Sequence, residues 1–173
     1  MEILFFNPDN APPWLAQLGT LPDWRPVYLD ETAVIYLKKG YAPGVPEMDN
    51  TRLLAGWGLD SSILKDADTL LQTPKPSGWD CFWGDFTQPV SYPLGLSTIG
   101  AYYYNTGHKD LAESLFLEII RQTRGRYTDP FINLGSVYAH TNRGYETQLC
   151  KKRVIQDISP DIIARLSKTQ AAP

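Results

Sequence analysis

The apolar positions of this chain change their period as it is read from the N-terminus. Ile3-Leu4-Phe5-Phe6 is a continuous apolar run behind Glu2, closed by Asn7-Pro8-Asp9-Asn10, and it predicts a short strand over 2–6. Pro12 and Pro13 stand where a helix can begin, because a missing amide hydrogen costs nothing in a first turn. Trp14, Leu15 and Leu18 come next at helical spacing, and Gly19 closes the segment. From Trp24 the period shortens. Trp24 to Leu29 and Thr32 to Leu37 are rich in β-branched and aromatic residues, with Asp30-Glu31 between them, and predict a hairpin. A unit of this size, ending near Lys39, buries too little surface to stand alone and is expected to pack on the segments C-terminal to it.

Gly40 to Pro46 breaks any regular ladder. Asn50 is the predicted cap of a helix through Leu53-Leu54, and Asp60-Ser61-Ser62 of another through Ile63-Leu64, Ala67 and Leu70-Leu71. Thr73 to Gly78 breaks the chain again. The aromatic stretch from Trp79 to Pro93 has no clean period and reads either as a loop closing the apolar end of a helical region or as the start of its first helix. From Pro93 the spacing is helical and repeats itself. Setting Gly100 on Gly135 also sets Leu96 on Phe131, Ile99 on Leu134 and Tyr103 on Tyr138, an offset of 135 − 100 = 35 residues. Each copy predicts two helices. Ser159-Pro160-Asp161 opens a last short helix, Ile162 to Leu166, expected to cover the exposed end of the stack, as terminal repeats require for solubility. The predicted fold is α+β: a small strand-helix-hairpin unit over 1–40, a linker with a helical pair and an aromatic loop over 41–92, helical hairpins with a capping helix over 93–166, and a frayed tail over 167–173.

Inside a helical hairpin the close approach of two helices needs small residues. Gly100, Gly135 and Ala112 supply them, since a glycine within a helix costs about 1 kcal/mol relative to alanine and asks for a packing reason. Tyr103, Phe116 and Ile119 are expected to fill the space around the first crossing. The second copy departs from this, because Thr147 aligns with Ala112 and Lys151 with Phe116. Its second helix is therefore expected to slip by a residue, burying Leu149, Cys150, Val154 and Ile158.

The first copy also carries Leu96, Ile99-Gly100, Tyr103, a turn at Asn105-Thr106-Gly107, Ala112 and Phe116, and so resembles a tetratricopeptide repeat, whose period lies within one residue of 35. The resemblance implies a noncatalytic module that binds a protein or peptide along a concave wall. Carried onto this chain, that wall comprises Leu94, Ser97, Ala101, Tyr104 and Asn105, then Asp129, Ile132, Ser136, Ala139 and His140. It is mildly polar and has no basic cluster, unlike the versions that clamp a peptide carboxylate. Two repeats make a small groove, and the helices from Asn50 to Gln72 are the candidates for a third pair.

A second resemblance covers about the first 40 residues. Trp24, Val27-Tyr28, Asp30, Ala33-Val34 and Tyr36-Leu37-Lys38 are similar to the soluble C-terminal tail of bacterial multi-pass membrane proteins of the lipid-linked-sugar glycosyltransferase type. This implies an extramembrane domain of a larger envelope protein, without the membrane-embedded catalytic acids, and a periplasmic or otherwise extracytoplasmic location. Without that resemblance the expectation is a cytoplasmic α/β unit.

Charge and chemistry narrow the classes further. A net charge of −3 and a pI near 5.3 argue against nucleic acid, and Lys151-Lys152-Arg153 reads as a solvated helix face. The N-terminus lacks the basic leader of a signal peptide, and no apolar run approaches the ~20 residues of a membrane-spanning helix. Cys81 and Cys150 have no metal-ligand spacing; they read as one disulfide in an oxidising compartment or as two buried thiols. His108 reads as a solvated helix start and His140 as a groove residue. With no phosphate loop, nucleophile elbow or paired catalytic groups, neither enzymatic activity nor a cofactor is expected. A rival reading lies in the aromatic stretch. Trp79, Phe82, Trp83 and Phe86 interleave with Asp80 and Asp85, a composition suited to stacking and hydrogen-bonding a sugar, although such clusters more often fill cores.

Overall fold

The computed structural model describes residues 2–6, 21–59, 61–76, 79 and 90–157. The helix expected after Pro12, most of the aromatic stretch with Cys81, and the closing helix expected at 162–166 lie outside the described residues.

Three strands, β1 (Ile3–Phe6), β2 (Trp24–Leu29) and β3 (Val34–Lys38), form an antiparallel sheet in the order β1-β3-β2. The second arm of the hairpin starts two residues later than the sequence predicts, because Asp30 recruits Thr32 and Ala33 into the turn. Its Oδ1 accepts from both of their amides at 2.7 Å and from the Thr32 hydroxyl at 2.8 Å, while Oδ2 accepts from the Tyr28 hydroxyl. These donors, the Tyr28 hydroxyl first, hold the Asp30 carboxyl at about 2, well below its ordinary value. Pro26 sits on the edge strand, where its missing donor leaves no ladder bond unmade, and the register jumps across Val27.

Short helices α1 (Asn50–Gly56) and α2 (Ala67–Leu71) come next, with a 3₁₀ segment at Ser61–Asp66 between them. The cap of α1 is Asp49 rather than the predicted Asn50: Asp49 Oδ1 accepts from the amides of Thr51 at 2.9 Å and Arg52 at 3.2 Å. Asn50 has a different task, accepting the Tyr103 hydroxyl at 2.8 Å.

The rest is two helical hairpins: α3 (Leu94–Asn105) with α4 (Lys109–Thr123), and α5 (Asp129–His140) with α6 (Gly144–Asp157). Their turns obey the 35-residue offset in backbone as well as sequence. Gly107 has φ +87°, and Asn142, 35 residues on, has φ +58°, a left-handed conformation that asparagine tolerates better than most residues. Helix α4 is the centre of the molecule. Every residue from Ala112 to Ile120 is buried, with α3 and α5 on one side and the 3₁₀ segment and α2 on the other. The stretch 61–71 therefore packs on α4 and α6, the second helices of the two hairpins, and does not extend the stack as a third pair.

A single buried cluster runs from Leu29, Val34 and Tyr36 of the sheet, through Leu59, Ile63, α3 and α4, to Tyr138 and Cys150. The sheet joins it by a buried bond between the Tyr36 and Tyr102 hydroxyls at 2.5 Å. Among the described residues, Arg153 Nε is buried without a hydrogen-bond partner, and other buried polar groups are bonded to one another. Glu113 on α4 takes the Arg143 guanidinium through both oxygens at 2.8 Å and the Tyr138 hydroxyl at 3.1 Å, which ties the two hairpins together. Arg143 in turn stacks over the Tyr138 ring, 4.5 Å from its centroid. The basic run on α6 is only partly the solvated face expected of it. Lys151 and Lys152 are exposed, but Arg153 is 3% exposed. Its guanidinium packs over Phe131, donates to the Gly125 carbonyl and pairs with Asp157 at 2.8 Å. The reason is position: α6 turns residue 153 toward the core, beside residues 147 and 150.

Candidate functional site

Helices α3 and α5 place their outward positions side by side. None of the wall residues expected from the repeat is buried: Leu94, Asn105, Asp129, Ile132, Ala139 and His140 are exposed, and Ser97, Ala101, Tyr104 and Ser136 are half-buried. Tyr104 and His140 meet across the two hairpins. Their rings are 5.6 Å apart in an edge-on arrangement, and His140 Nδ1 lies 2.9 Å from both the Tyr104 hydroxyl and the Ser136 carbonyl oxygen. Since that carbonyl only accepts, a proton on Nδ1 is donated to it, and the ring is fixed against the helix end. Ser97 is bonded to the Tyr92 hydroxyl at 2.9 Å, so it belongs to the entrance of α3 as well as to the wall.

Beside this row lies an open groove of about 450 Å³ between α5 and α6. Phe131, Ile132, Gly135, Ser136 and His140 line one side; Cys150, Lys151, Val154 and Ile155 line the other. Its origin can be traced by comparing the two hairpins. In the first, the Phe116 ring lies on Gly100 so closely that a Cβ there would stand 2.7 Å from Cε1. In the second, Lys151 takes the aligned place and points out to solvent, and a Cβ on Gly135 would meet only Cys150 Cβ at 3.4 Å. An aromatic ring's worth of packing is missing, and the groove is the gap it leaves. Ile132 at 49% and Ile155 at 55% exposure stand at its edges.

The slip expected in α6 is not found: the buried Thr147, Cys150 and Arg153 stand at the offset of 35 from the buried Ala112, Leu115 and Glu118, so the register of the first hairpin is kept. Cys150 is buried, Leu149 and Val154 pack half-buried against the core, and Ile158 lies outside the described residues. Thr147 and Arg153 are also buried on this helix, which the apolar pattern alone does not show. Cys150 is a free thiol, pushed up to about 12 chiefly by burial, so it stays protonated at neutral pH and is neither nucleophilic nor a ready metal ligand. Among the described residues, no group of three or more His, Cys, Asp or Glu is placed to hold a metal ion, and no helix is long and apolar enough to cross a membrane. Of the aromatic alternative, Trp79 is 74% exposed; Asp80, Trp83 and Asp85 lie outside the described residues.

Of the groove residues, Ile155 is not among those the sequence singles out, and Val154 is expected there only as a core residue. The available signal was the same one that weakens the second repeat: a lysine at the position of a core phenylalanine either breaks the packing or opens it. No protein-family model, curated protein or solved structure matches this chain.

Proposed function

We propose that this chain is a noncatalytic protein-interaction module of tetratricopeptide type, with the outward face of α3 and α5 as its partner surface. The observation that carries the reading is the Tyr104–His140 contact: two outward side chains from successive hairpins, held together over a row of unburied positions. Ser97, Ala101 and Asn105 extend that row along α3, and Ile132 and Ser136 along α5. The similarity of the first 40 residues to a membrane-protein tail supports, on this reading, a role as the extramembrane part of a larger bacterial envelope protein.

Proteins crosslinked to the wild type are compared with those crosslinked to Tyr104→Ala, His140→Ala and, as a control on a different face, Lys152→Ala. A partner kept by the control and lost by both wall variants, with unfolding free energies within about 1 kcal/mol of wild type, supports the reading. Retention of every partner by the wall variants defeats it.

Trp79 supports a second reading, a sugar-binding accessory domain using Trp79 and Trp83 with Asp80 and Asp85, because so large an aromatic surface in solvent is unusual. Titration of tryptophan fluorescence with oligosaccharides tests it; an unchanged spectrum at millimolar sugar rules it out.

A further inference from the structure

Helix α6 lines two cavities with different sets of residues. Besides the groove it shares with α5, it brings Lys152, Arg153 and Gln156 against Gln72, Thr73 and Lys75, at the end of α2, around a space of about 340 Å³. Lys75, Lys152 and Arg153 carry three positive charges to this cavity, and no acid is among its lining side chains. The compensating charge comes from Asp157 alone, and it is divided. Its Oδ1 takes both Lys75 Nζ at 2.6 Å and Arg153 Nη1 at 2.8 Å, while its Oδ2 accepts the Thr128 hydroxyl. Lys152 is exposed and has neither an ion pair nor a hydrogen bond among the described residues. Three cations against one carboxylate leave an excess of two positive charges.

Arg153 supplies a second, independent observation. The residue is 3% exposed, and its Nη1 and Nη2 donate to Asp157 and to the Gly125 carbonyl, yet its Nε is buried without a partner among the described residues. Buried donors are rarely left in that state, because the lost hydration goes uncompensated. From this we propose that the cavity binds a small soluble phosphate monoester, whose phosphoryl oxygens accept from Lys152 and Arg153 Nε while Lys75 is shared between the ligand and Asp157. A phosphorylated hydroxyl carries about −1.5 to −2 charges at pH 7, which matches the excess, whereas a carboxylate leaves one cation unbalanced. Arginine donors also suit phosphate oxygens in geometry. The volume lies at the lower end of the ~300–1,000 Å³ of small-molecule sites, and Leu71 and Leu149 offer an apolar wall to the organic part of the ester. The site is separate from the wall and stands whether or not the wall binds a partner.

NMR of the arginine Nε–H groups in the full chain tests it directly. Phenyl phosphate added at constant ionic strength is expected to move the Arg153 Nε–H resonance saturably, and benzoate, with the same ring and less charge, to bind several-fold more weakly. Lys152→Met, a change at an exposed position, is expected to weaken phenyl phosphate binding about tenfold while the unliganded Arg153 resonance stays in place. An Arg153 resonance unmoved at millimolar phenyl phosphate overturns the proposal, as do equal affinities for phenyl phosphate and benzoate, or an unchanged affinity in Lys152→Met. Phosphatidylcholine vesicles carrying phosphatidic acid provide the remaining arm: binding to them without any response to phenyl phosphate gives the cavity to a lipid headgroup and overturns the soluble ligand.

Discussion

Gly100 and Gly135 occupy the same place in two copies of one pattern, yet their surroundings give them opposite responses to substitution. At Gly100 any Cβ meets the buried Phe116 ring at 2.7 Å, so Gly100→Leu is expected to cost about 3 kcal/mol or to prevent folding. At Gly135 the nearest atom is an ordinary 3.4 Å away, and Gly135→Ala gains helix propensity without a clash, up to about 1 kcal/mol. Urea unfolding of the two variants measures both signs. Cys150 provides a second residue-scale prediction. Burial raises its thiol from 9.0 to about 12, so the unfolded chain loses that proton first. Its contribution to stability is complete below pH 9 and disappears as pH rises through about 12. Tyr102, Tyr103 and Tyr138, raised by burial from 10.0, act in the same direction at higher pH. Unfolding midpoints are expected to hold to about pH 9 and fall beyond it, and Cys150→Ala to shift the onset of the fall upward.

At the scale of elements, local pattern carried most of the information. The β-branched runs placed β2 and β3, since strand spacing depends on each segment's own alternation, and the one shift came from a side chain, Asp30, competing for backbone amides. The 35-residue offset placed α3 to α6 for a similar reason: a repeat states its packing twice. Where the pattern fell short, the deciding atoms were distant in sequence. Nothing near Asn50 announces Tyr103, and nothing near Arg153 announces the Gly125 carbonyl or the Phe131 ring. The Tyr36–Tyr102 bond belongs to the same class, joining β3 to α3 across 66 residues. A double-mutant cycle with Tyr36→Phe and Tyr102→Phe is expected to return a coupling of about 1 kcal/mol, measured by denaturant unfolding. A coupling near zero would detach the sheet energetically from the helices.

For the whole molecule, the continuous cluster from Leu29 to Cys150 implies one cooperative unit among the described elements. Fluorescence of a variant that keeps only Trp24 and Trp57, beside the sheet and α1, and far-ultraviolet circular dichroism, dominated by α3 to α6, are expected to give coincident unfolding transitions. A separate early fluorescence transition would show the sheet melting first. The wall of the candidate site was legible, because helix periodicity fixes which side chains face outward once the hairpins are aligned. The groove beside it was not, because it is a deficit of volume, and volume is a property of two packed helices that no single run of residues records.

Helix α4 carries one more implication. Enclosed by α3 and α5 on one side and by 61–71 on the other, it leaves no face for a further hairpin, and the sheet meets α3 through Tyr36. Among the described residues, the α5–α6 side presents an unfilled apolar surface at a hairpin-equivalent position. Among the described elements, the stack is thus covered where the sheet sits and open at the α5–α6 side. A duplicated hairpin grafted after Asp157 has a surface on which to grow, whereas the same hairpin inserted before Leu94 has to displace the sheet first.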